Sequence, residues 1–453
     1  MKVRAVSVTD LFGLFNHTIP LRTEERVTII HAPNGFGKTI ILRMLAGLIE
    51  GKFRIFRQVP FSKFSVEFTD GSILQVHTED SDEQGQLDLL PGRGKRRVVL
   101  TGSFPGPEGN TRERWEPHKL TDRDRMLRRH VVMDRIAHDI PVLTRVAQRT
   151  WRHDVTRVLF DLDDVLEQFG EHLHLPLEAT QEPPPMHARR RAVHVHVIQT
   201  QRLETQGEQR SRHDESPALT VERYSQHLAH ETGNVLQQYA AVSQRLDRNF
   251  PWRLFQEDAI SAPPVADLRS KLDELEVRRA QLRDLGFLEL EENPPRPPDT
   301  IIAKKSDVFS IYVKDVETKL AVFNEMARRV ELLRSILAER FSYKRMKISR
   351  EHGFQFTSDS GDTLGPSDLS SGEQHEIVML YDLIFNLKEN SLVLIDEPEI
   401  SLHIVWQQNF LRDLRKIIEL VGFDAIIATH SPQIIGRSWE LTEELKGPPT
   451  ETA

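Results

Sequence analysis

The apolar residues of this chain recur with two different periods, which predict alternating strands and helices. Residues 2–9 and 15–21 alternate apolar and polar side chains, and this pattern predicts two strands around a turn at Gly13. Residues 26–30 form a short β-branched run, which predicts a third strand. Residues 39–48 then repeat apolar side chains every three to four positions, so we expect a helix there.

The next part of the chain combines predicted strands with a long polar stretch. Strands are expected at 53–57, 64–69 and 72–77, with Asp70-Gly71 as a hairpin turn. Residues 79–128 are polar and rich in Gly, Pro and Arg, and we interpret them as a long surface insertion. After it come helical patterns at 132–148 and 154–169, a proline-rich linker at 182–185 and a strand at 193–198.

Helical patterns dominate the middle of the chain. One long helix is expected over about 218–248. Two more helices carry heptad-like apolar seams, from Leu268 to Leu282 and from Val316 to Phe341, and prolines separate them. These seams predict either a short antiparallel hairpin that projects as a coiled coil or the core of an ordinary helical bundle. Both alternatives remain open from the sequence.

The last part of the chain returns to strands that alternate with helices. The expected elements are a hairpin at 344–348 and 353–357, a helix at 372–387, a strand at 391–395, a helix around 402–420 and a strand at 425–428. This alternation is typical of a mostly parallel sheet, so the predicted fold class is α/β.

Composition narrows the class of protein. The chain has 453 residues, of which 38% are apolar and 28% charged, and we expect two or three folding units. It contains no cysteine, which excludes disulfides and Cys-ligated zinc. No signal peptide and no apolar run of ~20 residues is evident, so we expect a cytoplasmic protein with no membrane partner.

The charge of the chain bears on a nucleic-acid role. A net charge of −8 argues against a uniformly basic nucleic-acid binder. Basic runs at Arg93–Arg97 and Arg189–Arg191 could still meet phosphates, or they could simply keep loops soluble. Direct contact with nucleic acid is therefore possible but open.

A glycine-rich loop stands between the third predicted strand and the first predicted helix. It reads Ala32-Pro33-Asn34-Gly35-Phe36-Gly37-Lys38-Thr39, and Ala32 replaces the usual first glycine. Backbone N–H groups of such a loop and the positive end of the helix dipole cradle phosphates. Lys38 would bridge the β- and γ-phosphates, and Thr39 would supply a hydroxyl to Mg²⁺. We therefore expect ATP and Mg²⁺ as cofactors, with Asn34, Gly35, Phe36 and Gly37 in the cradle.

Two acids end the apolar strand predicted at 391–395. Two adjacent carboxylates at the end of a buried strand lower the stability of the fold unless they bind a partner or take part in chemistry. Asp396 fits the acid that holds Mg²⁺ in phosphate-transferring proteins. Glu397 fits a general base that deprotonates the attacking water. The expected activity is ATP hydrolysis.

Four short motifs of this chain resemble ABC-type ATPases of the SMC, RecF and OLD group. Leu369-Ser370-Ser371-Gly372-Glu373 is similar to the ABC signature loop, and Glu399-Ile400-Ser401-Leu402-His403 matches the D-loop position. Thr429-His430-Ser431-Pro432 matches the switch histidine. Gln201 is the expected Q-loop residue and a further Mg²⁺ ligand, with Gln199 as a competitor. The resemblance covers about residues 1–78, 193–203 and 344–437.

The resemblance implies a P-loop ABC-type ATPase head assembled from both ends of the chain, with a helical, short coiled-coil-like insertion. The expected segments are 1–78 and 344–453 as the two parts of the head, 79–192 as a polar insertion with helices, 193–217 as the Q-loop segment and 218–343 as the helical insertion. It also implies a homodimer through ATP, with a higher oligomer as a further alternative. In that dimer Ser370, Ser371, Gly372 and Glu373 of the signature loop would bind the nucleotide of the other subunit. Ser401 would be a further nucleotide-binding residue, and His430 would be catalytic.

The large separation between the motifs bears on the biological role. More than three hundred residues lie between Lys38 and Ser370, which disfavours the ATPase subunit of a transporter. The motifs are most similar to anti-phage defence ATPases of the Septu and retron-associated type, and because only 23 residues follow His430 we expect no Toprim nuclease there. This resemblance implies a separate nuclease effector of the HNH type. The alternative is a RecF- or SMC-like clamp on DNA in repair or chromosome maintenance.

Overall fold

The structure of the chain is a computed structural model. It describes residues 1–80, 96–106, 109–117, 136, 140, 142–147, 150–153, 159–161, 165, 182–198, 220–256, 263–289, 297–341, 343–402 and 404–447. Two compact units divide the chain. The first unit comprises Met1–Thr200, Lys388–Ile400 and Gly422–Ala453, and the second comprises Gln201–Leu387 and Ser401–Val421. Among the helices that the structure describes, none is both long and apolar enough to cross a membrane.

The strands of the described residues are, in chain order, β1 Val3–Leu11, β2 Phe15–Pro20, β3 Val27–His31, β4 Lys63–Phe68, β5 Ile73–Asp80, β6 Arg96–Phe104, β7 Thr111–Trp115, β8 Leu143–Ala147, β9 Thr150–His153, β10 Leu159–Asp161, β11 Val195–Ile198, β12 Lys344–Ser349, β13 Gly353–Ser358, β14 Thr363–Leu364, β15 Leu392–Asp396, β16 Asp424–Thr429 and β17 Thr442–Glu444. The helices are α1 Lys38–Glu50, α2 Arg54–Gln58, α3 Pro184–Arg191, α4 Thr220–Gln256, α5 Val265–Asp284, α6 Asp299–Lys304, α7 Ser306–Ala321, α8 Asn324–Ala338, α9 Ser371–Tyr381, α10 Ile404–Val421 and α11 Pro432–Ile435.

A parallel sheet in the first unit joins the two ends of the chain. Its strand order is β11-β15-β16-β3-β17, and every neighbouring pair is parallel. The central strands are apolar on both faces, as in Leu392-Val393-Leu394-Ile395, which are all buried. In register, Ile427 pairs with Ile29 and Ile395 pairs with Ile427. The prediction of an α/β fold built from both ends of the chain is thereby confirmed.

A second, antiparallel sheet of the first unit has the order β2-β1-β4-β5-β6-β7. The alternation of buried and exposed positions in β2 and β4 turns one face toward the core. One hydrophobic cluster contains residues of this sheet, such as Phe64 and Val66, of α1, such as Leu45, and of the parallel sheet, such as Leu394 and Ile426. The predicted strands at 2–9, 15–21, 64–69 and 72–77 are confirmed by this sheet.

Several sequence-based expectations for the first unit are wrong. Residues 53–57 were expected as a strand, but α2 is a helix because Phe53 and Phe56 lie on one helical face and are both buried. The polar stretch at 79–128 contains β6 and β7, which extend the antiparallel sheet. Within the ranges 132–148 and 154–169, where helices were expected, residues 143–147 and 159–161 are the strands β8 and β10, each paired with β9. Residues 136 and 165 are helical, and most other positions of the two ranges lie outside the described residues.

Helices pack as a bundle in the second unit. Leu268, Leu275 and Leu282 of α5 are buried, as are Val316 and Leu320 of α7. Aromatic rings join three elements, since Phe323 lies 5.0 Å from Tyr239 of α4 and 5.7 Å from Phe287, measured between ring centroids. These contacts favour bundle core over a projecting hairpin. The seam expected as one helix from Val316 to Phe341 is split into α7 and α8, with the buried Phe323 at the break.

The remaining elements of the second unit frame the predicted signature loop. The hairpin of β12 and β13 forms as expected, with Met346 opposite Phe356. The helix expected at 372–387 consists of α9 followed by a π-helical turn at Asp382–Asn386. The helix around 402–420 is α10.

Candidate functional site

The glycine loop between β3 and α1 depends on two left-handed glycines. Gly35 has φ 88° and Gly37 has φ 87°, a region that side-chain-bearing residues rarely adopt. A Cβ at Gly37 would also lie 2.6 Å from Cδ2 of the buried Leu11. The absence of a side chain therefore lets the backbone turn tightly into α1, whose first N–H groups have no partner within the helix. This is a cradle that suits phosphate oxygens.

Lys38 is held inside its own loop. Its side chain is buried, and Nζ donates to the carbonyl oxygens of Ala32 at 2.7 Å and Pro33 at 3.1 Å. Burial lowers the pKa of Lys38, and the negative charges of Glu397, Glu399 and Asp396 partly oppose this change. The ammonium group thus lies at the start of the glycine loop, where three acids give a negative electrostatic potential.

Thr39 and Asp396 bring two oxygen ligands together. Thr39 Oγ1 donates to Asp396 Oδ1 at 3.0 Å. Burial raises the pKa of Asp396, while the hydrogen bond from Thr39 and the nearby Arg43 and Lys38 oppose the rise. A hydroxyl and a carboxylate are oxygen donors of the type that Mg²⁺ prefers, and the adjacent cradle suits the phosphates that would supply the other ligands. These residues fit a Mg²⁺–nucleotide.

Glu397 adopts an unusual backbone conformation directly after β15. Its φ is +46°, although it is not a glycine, and its N–H donates to Ala428 O at 2.8 Å. Such strain costs on the order of 1–3 kcal/mol and is commonly found where function needs a side chain in a set direction. Glu397 Oε1 lies 4.0 Å from His430 Nδ1. Glu397 and His430 are therefore neighbours at the ends of adjacent strands.

A third acid, Glu399, contacts the segment that contains His430. Glu399 Oε1 accepts hydrogen bonds from Thr429 Oγ1 at 2.7 Å and from His430 N at 3.0 Å. The same oxygen lies 3.0 Å from His430 Nδ1. The sequence pattern placed Glu399 only within the D-loop match and gave it no role. The signal that could have found it is a third acid within four residues of a buried strand end.

His17 supports the glycine loop from β2. Its Nε2 lies 3.2 Å from the carbonyl oxygen of Phe36, so this nitrogen must carry the hydrogen. Burial lowers the pKa of His17, and the bond to Phe36 opposes this change. The Phe36 ring packs on Phe15, with centroids 5.3 Å apart. His17 is a second residue that the sequence alone did not single out.

The signature segment of the second unit forms a helix cap. Ser370 is the N-cap of α9, and its N–H donates to Glu373 Oε2 at 2.9 Å. Ser370 Oγ lies 2.8 Å from the same carboxylate oxygen. Lys344 Nζ donates to both carboxylate oxygens of Glu373, at 2.9 and 2.8 Å. This lysine, on β12, neutralises the acid of the signature loop.

Glu373 and Gln374 fix this loop in different ways. Burial would raise the pKa of Glu373, but hydrogen bonds from Lys344 and Ser370 outweigh it and the pKa lies below its ordinary value. Gln374 is buried, and its Nε2 lies 3.0 Å from Leu369 O and 3.1 Å from Ser367 O. The loop therefore has a defined backbone that presents Ser370 and Ser371 at the N-terminus of α9.

The structure accounts for most of the predicted site residues. In the first unit it brings together Lys38, Thr39, Asp396, Glu397 and His430, and it places Asn34, Gly35, Phe36 and Gly37 in the connecting loop. Ser370, Ser371, Gly372 and Glu373 start α9 in the second unit. Gln201 and its competitor Gln199 lie outside the described residues, and Ser401 ends the 3₁₀ turn Pro398–Ser401. The roles assigned to these residues stay predictions.

Comparison with known sequences gives two partial matches. Residues 301–436 match a family described as AAA domain, putative AbiEii toxin, Type IV TA system. The chain is also similar to Protein ea59 of Escherichia phage lambda, at 40% identity over 67 residues. That match covers 15% of this chain and 13% of the phage protein. The similarity to the AAA family thus covers the signature loop, both strand-end acids and the histidine segment.

Comparison with solved structures gives SMC head domains. The SMC head domain from Thermotoga maritima is 11% identical, with a TM-score of 0.31, over 98% of this chain and 93% of that chain. The Smc head domain with an extended coiled coil from Pyrococcus furiosus, bound to the C-terminal domain of ScpA, is 10% identical, with a TM-score of 0.29, over 96% and 91% of the two chains. The strand order of the chain itself brings the glycine loop after β3 and the two acids at the end of β15 into one parallel sheet.

Proposed function

We propose that this protein binds ATP with Mg²⁺ and hydrolyses it, dimerises head-to-tail around the nucleotide and regulates a separate nuclease in defence against phage. The observation that carries the ATPase proposal is the contact between Thr39 and Asp396, which unites the glycine loop and the strand-end acids. The AAA-family match over residues 301–436 supports the same activity.

Different residues of the first unit would bind the phosphates and the Mg²⁺ ion of the nucleotide. The loop N–H groups around Gly35 and Gly37 would bind phosphate oxygens, and Lys38 would exchange its bonds to Ala32 and Pro33 for the β- and γ-phosphates. Thr39 and Asp396 would hold Mg²⁺. When bound, this ion offsets the charge that develops on the phosphates.

Glu397 is the residue best placed to act on water. It follows Asp396 directly, and its Oε1 lies 4.0 Å from Nδ1 of His430 at the end of the neighbouring strand. A carboxylate there can accept the proton of the attacking water, as a general base does. His430, on the adjacent strand end, would contact the terminal phosphate.

Two substitutions test the ATPase proposal. Glu397→Gln should lower kcat by ~10²–10⁴-fold, the usual contribution of a general base, with ATP binding retained. Lys38→Ala should weaken ATP binding by roughly 10–100-fold, because it removes charge-assisted hydrogen bonds worth about 1.5–3 kcal/mol. Steady-state hydrolysis and a fluorescent ATP analogue measure the two effects. Wild-type turnover in Glu397→Gln would show that another group is the base.

The dimer proposal rests on the signature segment and on the resemblance to ABC-type heads. Ser370 and the N-terminus of α9 form a second group of phosphate donors, and in a head-to-tail dimer they would meet the nucleotide of the other copy. A glycine at position 372 would let the backbone approach that nucleotide closely.

Mixing two defective variants tests the dimer. Two double variants are made, each with Glu397→Gln. One adds Lys38→Ala, which disables the glycine loop, and the other adds Ser370→Arg, which disables the signature loop. Neither should associate on addition of ATP, whereas an equal mixture should, because mixed dimers keep one intact site. Sedimentation velocity measures association. ATP-dependent dimers of the Ser370→Arg variant alone would contradict the proposed interface.

The defence role is supported by the similarity of the motifs to Septu and retron-associated ATPases. The test is to express the gene with and without its neighbouring genes and to measure phage plating. Protection that needs Lys38, Glu397 and an adjacent HNH-type nuclease gene supports the proposal. A defect in DNA repair without such a neighbour would favour the RecF- or SMC-like clamp instead.

A further inference from the structure

One carboxylate oxygen in the first unit receives an unusual number of contacts. Glu399 Oε1 meets the hydroxyl of Thr429, the backbone N–H of His430 and the ring nitrogen Nδ1 of His430, at 2.7, 3.0 and 3.0 Å. Glu399 is only 8% exposed, and Thr429 is fully buried. Hydrogen bonds to a buried carboxylate offset part of the free energy lost when it leaves water, so the donors from Thr429 and His430 stabilise Glu399 in this position.

The cluster also links Glu399 firmly to the end of β16. Thr429 Oγ1 donates to Glu399 and accepts from Ser431 N at 3.0 Å. The Thr429 hydroxyl therefore donates to Glu399 and accepts from Ser431, so the residues on both sides of His430 are held by hydrogen bonds. The backbone of His430 therefore has a set position relative to Glu399.

The chemistry of these groups defines the protonation of the histidine. An ionised carboxylate can only accept hydrogen bonds, so a hydrogen on His430 Nδ1 is favoured at this 3.0 Å distance from Glu399 Oε1. Nε2 is then the nitrogen that faces away from Glu399. A second charged group near this ring is Glu397, with Oε1 at 4.0 Å from Nδ1, and the charge of Lys38 interacts with both Glu397 and Glu399.

We propose that Glu399 is a positioning residue for His430, holding it in the Nδ1–H form with Nε2 directed to the reacting phosphate. The inference rests on the proposed function and adds to it a role for the acid three residues after Asp396. In this arrangement Glu397 is left to act on water, while Glu399 acts only through the histidine. The two acids after Asp396 thereby have separate tasks.

The first test reads the histidine directly and needs no turnover. The protein is labelled with ¹⁵N-histidine, and the His430 resonances are identified by their loss in His430→Gln. We expect Nδ1 to be protonated in the wild-type protein and in Glu399→Gln, whose amide oxygen can still accept. In Glu399→Ala the Nε2–H form should gain population. Thr429→Val is the matched control, because it removes one donor to Glu399 but leaves the Nδ1 contact.

The second test is a double-mutant cycle on ATP hydrolysis. Glu399→Ala should lower kcat by roughly 10–100-fold, as loss of an orienting partner does, and should change KM by less than about threefold. On the His430→Ala background the same change should have no further effect, because Glu399 acts through His430. Glu399→Gln should recover much of the activity.

The outcomes separate this inference from the proposed function. If Glu399→Ala lowers kcat equally with and without His430, Glu399 acts independently and the inference is overturned. An unchanged ¹⁵N pattern in a folded Glu399→Ala protein overturns it as well. If the wild-type protein does not hydrolyse ATP, the proposed function fails, yet the ¹⁵N measurement still decides whether Glu399 sets the form of His430.

Discussion

Thr39 and Asp396 are separated by 357 positions in the chain, and their side chains are joined by a hydrogen bond of 3.0 Å. Thr39 lies in the first turn of α1, and Asp396 is the last residue of β15. Their contact depends on the parallel sheet, in which β16 separates β15 from β3. This hydrogen bond can therefore form only when both ends of the chain have folded into the same sheet.

Removing the Thr39 hydroxyl should weaken the use of Mg²⁺. Thr39→Val keeps the shape of the side chain but loses an oxygen ligand, so the Mg²⁺ concentration for half-maximal ATP hydrolysis should rise at least about tenfold, as for the loss of one good ligand of about 1.4 kcal/mol. Thr39→Ser, which keeps the hydroxyl, is the matched control and should stay near wild type. A Mg²⁺ titration measures both. Equal curves for the Val and Ser variants would exclude Thr39 as a ligand.

The two loop glycines should differ in their tolerance of alanine. Gly35→Ala places a side chain in open space and suffers only from its positive φ, at about 1–2 kcal/mol. Gly37→Ala adds the clash with the buried Leu11 and should lose more stability and all tight ATP binding. Thermal unfolding compares the two variants. A smaller loss in Gly37→Ala than in Gly35→Ala would contradict the packing described for this loop.

The ion pair between Lys344 and Glu373 should give a pH-dependent contribution to stability. Because the folded-state pKa of Glu373 is lowered, its contribution is present above the ordinary glutamate pKa and is lost as pH falls through the lowered value. Lys344→Met should thus cost about 1 kcal/mol near neutral pH and less in acid. Unfolding of wild type and variant across acid pH measures this difference. On a Glu373→Gln background the cost of Lys344→Met should no longer vary with pH.

The most buried ion cluster of the second unit should be the most sensitive to a single change. Arg340 pairs with Glu376 of α9 and Asp413 of α10, and all three side chains are at most 3% exposed. Arg340→Met removes the cation that these two buried acids share, so that among the described residues Asp413 keeps only its contacts with Arg412 and Lys416, and should destabilise by about 3–5 kcal/mol. The same change at Arg269, which pairs with Asp299 on the surface, should cost no more than ~1 kcal/mol. Urea unfolding compares the two variants.

The parallel sheet could be predicted because its signals are local. The apolar runs around Leu394 and Ile427 are short, β-branched and bounded by turns, so period and length identify them as buried strands. The glycine loop and the acids at 396–397 are likewise contiguous in sequence. In these segments the residues that the local pattern assigns to a strand or loop are the same residues that the folded sheet needs at those positions.

The errors arose where packing overrides local pattern. Phe53 and Phe56 favour strands by propensity, yet their shared burial selects the helix α2. The roles of Glu399 and Lys344 could not be read from neighbours, since their partners Thr429 and Glu373 are 30 and 29 residues away. Contacts of this kind exist only after the chain has folded.

The strand order also has a consequence for the timing of folding during synthesis. β3 pairs only with β16 and β17 among the described strands, so Val27 must wait for Ala425 to leave the ribosome. At ~5–20 residues per second, that delay is roughly 20–80 s. Throughout it, the edges of β3 are open to wrong partners or to a chaperone. Newly made protein should therefore form its proposed nucleotide site as the last event of folding. Slow or crowded translation should lower the yield of folded protein more than it does for a protein whose strands pair locally.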